Sequence, residues 1–321
     1  MTTMVSVILP IRNEEKYIAR CLDSIVEHDY SKEGIEVLVV DGMSDDKTRA
    51  IIERYAMSYA FIRLLDNPRK ITPCALNIGI KNAHGGIIIR ADAHSEYARD
   101  YIQKCCEFLN RGEADNVGGV VEHKGDGFIG QAIAYAQSCR FGLGGAKFRT
   151  AKKAQYVDTI FPGSWRKSIF DIYGLFDERL ARNQDIEHNA RIRKNGGKIF
   201  LTPEIKSYYY CRSSLKGLWV QNFRNGFWNI KTIRICPGSL SVRHFIPLVF
   251  VTSLLTSWMI PHLWLAIIIS YLLCNLFFSL KIAVANGFKY FYIMPTVFAT
   301  IHLSYGFGSL AGVIGLVNKG K

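Results

Sequence analysis

Two hydrophobic rhythms alternate over the first ninety residues. Residues 5–9 are a short apolar run closed by Pro10, which predicts a buried strand. Over 14–27 the apolar residues Tyr17, Ile18, Cys21, Leu22, Ile25 and Val26 recur at helical spacing. Residues 35–40 predict a second strand closing on Asp41-Gly42. The pattern then predicts a helix over 45–55, a weaker strand over 61–65 and a helix over 72–83 with Pro73 at its first position. Gly85-Gly86 breaks the chain before a strand at 87–90. Strand and helix in alternation predict an α/β fold, a mostly parallel sheet with helices on both faces. Ligands of such sheets bind beyond the carboxyl ends of the strands. Asn13, Asp41 and Asp92 each follow a strand.

Beyond residue 116 the pattern is less regular. Residues 118–121 predict a strand, and the Gly-rich stretch 125–145 predicts a mobile segment. Residues 165–172 and, more clearly, 185–194 predict helices, the second ended by Gly196-Gly197. A strand follows at 198–201.

A third pattern fills the end of the chain. From 245 to 317 the only charges are Lys281 and Lys289. Apolar segments at about 246–260, 262–280 and 291–317 predict a membrane-associated helical tail, since a span needs about 20 apolar residues. The first is short for a span, and Lys281 and Lys289 favour a cytoplasmic loop between the other two. Gly306, Gly308, Gly312 and Gly315 predict close helix packing. The division expected is a catalytic domain over 1–235 and a tail over 236–321.

Charge adds a location. Of the net +13, the stretch 140–244 supplies twenty Lys and Arg against seven Asp and Glu. A basic flank beside an apolar tail suits an anionic cytoplasmic leaflet and phosphorylated lipids. No nucleic-acid motif accompanies it. The eight cysteines form no CxxC pair, which predicts free thiols in a reducing compartment. Residues 5–11 are too short for a signal peptide and contain Pro10, so the soluble part is expected to stay in the cytoplasm, at the cell membrane.

Four constellations carry chemistry. Pro10-Ile-Arg-Asn-Glu14 follows the first strand, and Asp41-Gly-Met-Ser-Asp-Asp-Lys-Thr48 follows the second. A carboxylate at a strand end can accept hydrogen bonds from a base or a ribose, while Ser44, Asp45, Asp46 and Thr48 can cap the next helix. In Arg90-Ala-Asp92-Ala-His94, residues two apart on an extended segment point to one side and can share a metal ion. Asn183-Gln-Asp185-Ile-Glu187 opens a helix, where a carboxylate is stabilised by the dipole.

Together these resemble the inverting glycosyltransferases of family 2, with the GT-A nucleotide-sugar-binding fold. The resemblance covers roughly residues 4–230. It rests on 41–48, on Ala75-Leu-Asn77-Ile-Gly79 followed by Asp92, and on Phe176-Asp-Glu178 followed by Asp185. Within the family the chain looks closest to succinoglycan-type exopolysaccharide transferases. The resemblance implies that Asp185 is the general base and that Pro10, Arg12, Glu14, Asp41 and Asp92 bind the donor, expected to be a UDP-sugar. Asp92, and His94 beside it, would meet a divalent metal, Mn²⁺ or Mg²⁺. The common Asp-x-Asp is here Asp92-Ala-His94, and the common Glu-Asp pair is Gln184-Asp185. The acceptor implied is a polyprenyl-diphosphate-linked sugar at a membrane. The rival readings are a polyprenyl-phosphate sugar synthase, a processive polysaccharide synthase and a non-catalytic nucleotide-sugar binding protein.

Overall fold

The computed structural model describes residues 3–145 and 147–317. The chain begins β1 (Val5–Ile11), α1 (Ile18–Val26), β2 (Ile35–Asp41), α2 (Thr48–Ser58), β3 (Ile62–Asp66), α3 (Thr72–Asn82), β4 (Ile87–Arg90) and β5 (Ser95–Tyr97). It continues with α4 (Tyr101–Asn110), β6 (Asn116–Lys124), α5 (Gly127–Ser138), α6 (Arg140–Leu143), α7 (Lys147–Thr150), β7 (Gln155–Tyr156), β8 (Ser164–Arg166), α8 (Ile169–Tyr173) and α9 (Gln184–Lys194). It ends with β9 (Ile199–Tyr210), α10 (Leu215–Ile235), α11 (Ile246–Thr256), α12 (Pro261–Asn286) and α13 (Met294–Val317).

One sheet runs β3-β2-β1-β4-β8-β6-β9-β5, with β7 also on β9. β3, β2, β1 and β4 are parallel, Val5 standing opposite both Ile35 and Ile87. β8 reverses direction against β4 and β6, and β5 reverses against β9. Alternate residues of the parallel strands enter two cores. Val7, Leu9, Val37, Val39 and Ile89 pack with Leu22, Ile25, Cys105 and Leu109 on one face. Ile8, Leu38, Val40 and Ile88 pack with Leu76, Ile80, Trp165 and Phe170 on the other. Each such side chain contributes about 1.5–3 kcal/mol by leaving water. Gly79 lets α3 close on β1: a Cβ there would stand 2.4 Å from Ile8 Cγ2.

Packing divides the chain into two compact units. The first runs to Glu122 and resumes over Lys147–Tyr209; the second takes the intervening segment and everything from Tyr210 on. The 1–235 boundary followed composition, whereas α5, α6 and α10 pack with the apolar helices. Within the second unit α10 lies along α13. A Cβ on Gly308 would stand 2.0 Å from the Phe223 carbonyl oxygen, and one on Gly226 2.1 Å from that of Tyr305. Gly306 instead admits the Pro247 carbonyl of α11. Pro261–Asn286 and Met294–Gly315 are long and apolar enough to cross a membrane, with mean hydropathy 2.2 and 1.5.

Several expectations are corrected. The stretch 125–145 was expected to be mobile, yet its described residues are largely the helices α5 and α6. Its small residues permit that packing, since Gly142 sits where a Cβ would reach 1.9 Å from the Ala136 carbonyl. Residues 165–172 split into the end of β8 and helix α8, because Ile88 and Asn116 flank Trp165 as ladder partners no local periodicity reveals. The strand at 198–201 extends through Pro203 to Tyr210. Lys281 lies inside α12 rather than in the loop, near the helix end where a lysine can snorkel.

Candidate active site

The loops after β1 and β2 are tied to each other. Asn13 takes the left-handed conformation, φ 54°, which Asn tolerates better than most residues. Its backbone N–H donates to Ser44 Oγ at 2.9 Å, and its side-chain amide donates to Asp45 at 2.7 Å. The Glu14 N–H donates to Thr48 Oγ1 at 2.7 Å. Of the expected capping residues, Asp46 accepts from the Thr48 N–H at 2.9 Å at the start of α2, while Ser44, Asp45 and Thr48 serve as a clasp to the β1 loop. Asp41 is fully buried and accepts from Ser44 Oγ at 2.5 Å and Arg49 Nη1 at 3.1 Å. Gly42 fits beneath Arg12, whose Cβ would be 3.2 Å from a Cβ there. Pro10, Arg12, Glu14 and Asp41 thus lie on one pair of strand ends.

The next strand end holds an ionic cluster. β4 is flanked by β1 and β8, so Arg90 at its end is buried. Its Nη2 donates to Asp92 Oδ1 at 2.9 Å and its Nη1 to Asp185 Oδ1. The guanidinium also lies over the Phe161 ring, 4.7 Å from the centroid. A buried arginine is costly unless paired, and here the carboxylates bring its pKa up despite burial, Asp185 contributing more than Asp92. Burial raises the Asp185 pKa above the ordinary carboxylate value, Arg90 opposes that and Asp92 adds to it. The Asp92 backbone is pinned, its N–H donating to Tyr97 Oη at 2.7 Å and its carbonyl accepting from Ser95 N–H at 3.0 Å.

Glu14 and His94 meet as well. His94 Nδ1 lies 2.8 Å from Glu14 Oε2, and Tyr17 and Tyr209 set ring edges against the imidazole at centroid distances of 6.0 and 5.5 Å. Glu187 plays another part: it takes a two-pronged bond from Arg191 at 2.9 and 2.7 Å and is buried on α9. Asn77 bonds Phe176 through both backbone groups and donates to Glu178 at 2.9 Å, so that motif latches a loop.

The residue that sequence reasoning left without a role is Arg90. Its signal was a lone charge ending the apolar strand run Ile87-Ile88-Ile89. Among the described residues no three His, Cys, Asp or Glu gather as a metal cage. Asp92 Oδ2, however, is buried with no hydrogen-bond partner. A hard divalent ion bound through one carboxylate plus substrate phosphate oxygens fits such a leftover acceptor. His94 has Nε2 left to offer, with Glu14 on the opposite nitrogen, the arrangement in which a carboxylate orients a metal-bound imidazole.

A family model for glycosyl transferase family 2 matches residues 6–167, which span nearly all of β1 through β8 and the loops after β1, β2 and β4, but neither the 176–178 loop nor the start of α9. The chain belongs to glycosyl transferase family 2. This glycosyltransferase is 30% identical over 247 residues to the succinoglycan biosynthesis protein ExoA of Rhizobium meliloti, covering 75% of this chain and 74% of that one. It is 29% identical over 318 residues to the dolichyl N-acetyl-alpha-D-glucosaminyl phosphate 3-beta-D-2,3-diacetamido-2,3-dideoxy-beta-D-glucuronosyltransferase of Methanococcus voltae, spanning 97% of each. Its fold is similar to that of the mannosyltransferase PcManGT from Pyrobaculum calidifontis, solved with GDP-Man and Mn²⁺, at TM-score 0.61 and 19% identity over 98% of this chain and 88% of that one. The glycosyltransferase thus has the expected GT-A fold.

Proposed function

We propose that this glycosyltransferase moves a sugar, with inversion, from a nucleotide sugar to a hydroxyl of a saccharide carried on a membrane lipid phosphate. The observation that carries the reading is the buried cluster in which Arg90 joins Asp92, at a strand end, to Asp185, at a helix start. The family 2 resemblance supports reading the first as the donor-side carboxylate and the second as the acceptor-side base. Asp185 Oδ1 is held by Arg90, which leaves Oδ2 to take the acceptor proton. The acceptor oxygen then bonds to the anomeric carbon as the bond to the diphosphate breaks, and the nucleoside diphosphate leaves with the electron pair. A carboxylate whose pKa is raised by burial is a stronger base for that proton. Pro10, Arg12, Glu14 and Asp41 would line the nucleotide pocket, a UDP-sugar being the expected donor. A divalent cation, Mn²⁺ or Mg²⁺, held by Asp92 and by His94 as second candidate, would neutralise charge on the departing diphosphate.

The lipid-linked acceptor is supported by the name of the Methanococcus voltae relative, which specifies a dolichyl phosphate sugar, and by two helices of membrane-crossing length. We take the carrier here to be a polyprenyl diphosphate and the first unit to face the cytoplasm, where the basic flank meets anionic lipid. The test is a panel of UDP-, GDP- and dTDP-sugars with membranes containing the intact chain, wild type against Asp185→Asn. Transfer is expected to fall by about 10²–10⁴-fold while donor binding stays within a few-fold. Undiminished transfer by Asp185→Asn would show that the acceptor needs no base, as with a phosphate acceptor.

A further inference from the structure

Arg90 sits where the fold allows no freedom. Its backbone N–H donates to the Gly163 carbonyl at 3.0 Å, and the next N–H, of Ala91, donates to Ile8 at 2.9 Å. The β4 end is therefore fixed to β1 on one side and to the stretch before β8 on the other. From this anchor the guanidinium reaches Asp185, ninety-five positions on. α9 begins there behind Asn183 in a left-handed conformation, φ 62°, with no side-chain cap. Among the described contacts Arg90 alone touches both carboxylates. It uses Nη2 on Asp92 and Nη1 on Asp185. Arg90 holds each carboxylate by its Oδ1. The other oxygen of Asp92 and the Nε of Arg90 itself are buried without partners.

We propose that Arg90 is a positioning residue for transfer: one guanidinium sets the distance and orientation of Asp185 relative to Asp92, so that base and donor-site carboxylate move as one unit. This rests on the roles proposed above for those two aspartates. The planar fork matters because two carboxylates are met in fixed directions, which a lysine ammonium cannot reproduce. Misplacement of a reacting group by about 1 Å costs on the order of 100-fold in rate.

The experiment uses the intact chain in membranes, with the donor that the nucleotide-sugar panel identifies, and with UDP plus Mn²⁺ and GDP plus Mn²⁺ as binding probes. Arg90→Lys is expected to lower kcat for transfer about 100-fold while donor KM and nucleotide binding, per folded protein, change less than about five-fold. Arg90→Met in an Asp185→Asn background is expected to add no further loss to residual transfer, because the residue acts through Asp185. Wild-type kcat in Arg90→Lys overturns the inference. So does a loss shared equally by kcat and nucleotide binding, or one that persists undiminished in the Asp185→Asn background. If Asp185→Asn itself transfers normally, the reading of the base falls and this inference falls with it. If Asp185→Asn is inactive while Arg90→Lys is not, only the inference falls.

Discussion

His94 Nδ1 stands 2.8 Å from a carboxylate oxygen of Glu14, eighty positions earlier in the chain. The sequence placed these residues in different roles, one on the metal and one in the nucleotide pocket. With Nδ1 against Glu14, the imidazole can meet a cation only through Nε2.

The first prediction follows from that pair. Removal of an outer carboxylate typically costs 10–100-fold in metal affinity. Glu14→Gln is expected to raise the Mn²⁺ concentration for half-maximal activity about tenfold, and His94→Ala at least as much. The measurement is a Mn²⁺ titration of each variant at fixed donor. An unchanged metal requirement in His94→Ala would take His94 out of the coordination shell and leave the role of Asp92 open.

The second concerns pH. His188 is buried among Phe170, Phe176 and Trp165, with Phe176 at a centroid distance of 4.7 Å. Burial first, and then the nearby Arg191 charge, push its pKa down to about 3. An unfolded histidine titrates near pH 6.5, so between those values the unfolded chain binds a proton that the folded chain refuses. The His188 contribution to stability is therefore full above about pH 6.5 and falls by about 1.4 kcal/mol per unit as the pH drops, beside that of His28, whose pKa burial lowers to about 4. His188→Phe fills the same aromatic pocket and is expected to flatten that fall. Melting temperatures at pH 7 and pH 5 decide it; parallel losses in both proteins would assign the acid limb to other groups.

The third concerns the α10–α13 contact. Gly308→Ala is expected to cost about 1–3 kcal/mol, because its Cβ would meet the Phe223 carbonyl at 2.0 Å. Gly315→Ala is the control, since its Cβ finds only Phe227 Cε2 at 3.8 Å. Thermal stability in detergent should separate the two; equal effects would mean that the helices are not held by close approach.

A fourth tests attachment. The exposed side chains of α11 and α12 include Val249, Leu255, Leu263, Trp264, Leu272 and Phe277. The intact chain is expected to remain with membranes through a high-salt wash and to leave them in detergent, since salt screens charge but not hydrophobic insertion. Complete release by salt alone would show that these helices do not insert.

The sequence by itself determined the parallel half of the sheet, because each strand there is an apolar run whose signal is local. It determined the family too. The motifs at 41–48, 75–79, 92 and 185 sit at strand and helix ends, where short segments announce themselves. The apolar helices and the close contacts of Gly306, Gly308 and Gly312 were legible for the same reason, since composition and spacing are carried by neighbouring residues, whereas Gly315 makes no such close approach. What only the tertiary structure decided was pairing across long separations. β8 became a strand because β4 and β6 flank it, although Trp165 and its neighbours read locally as helix. Glu187, near the start of α9, became the ion-pair partner of Arg191. Arg90 became the link between Asp92 and Asp185 because burial at the end of β4 left its charge no solvent, and two carboxylates from distant segments were the groups that could satisfy it.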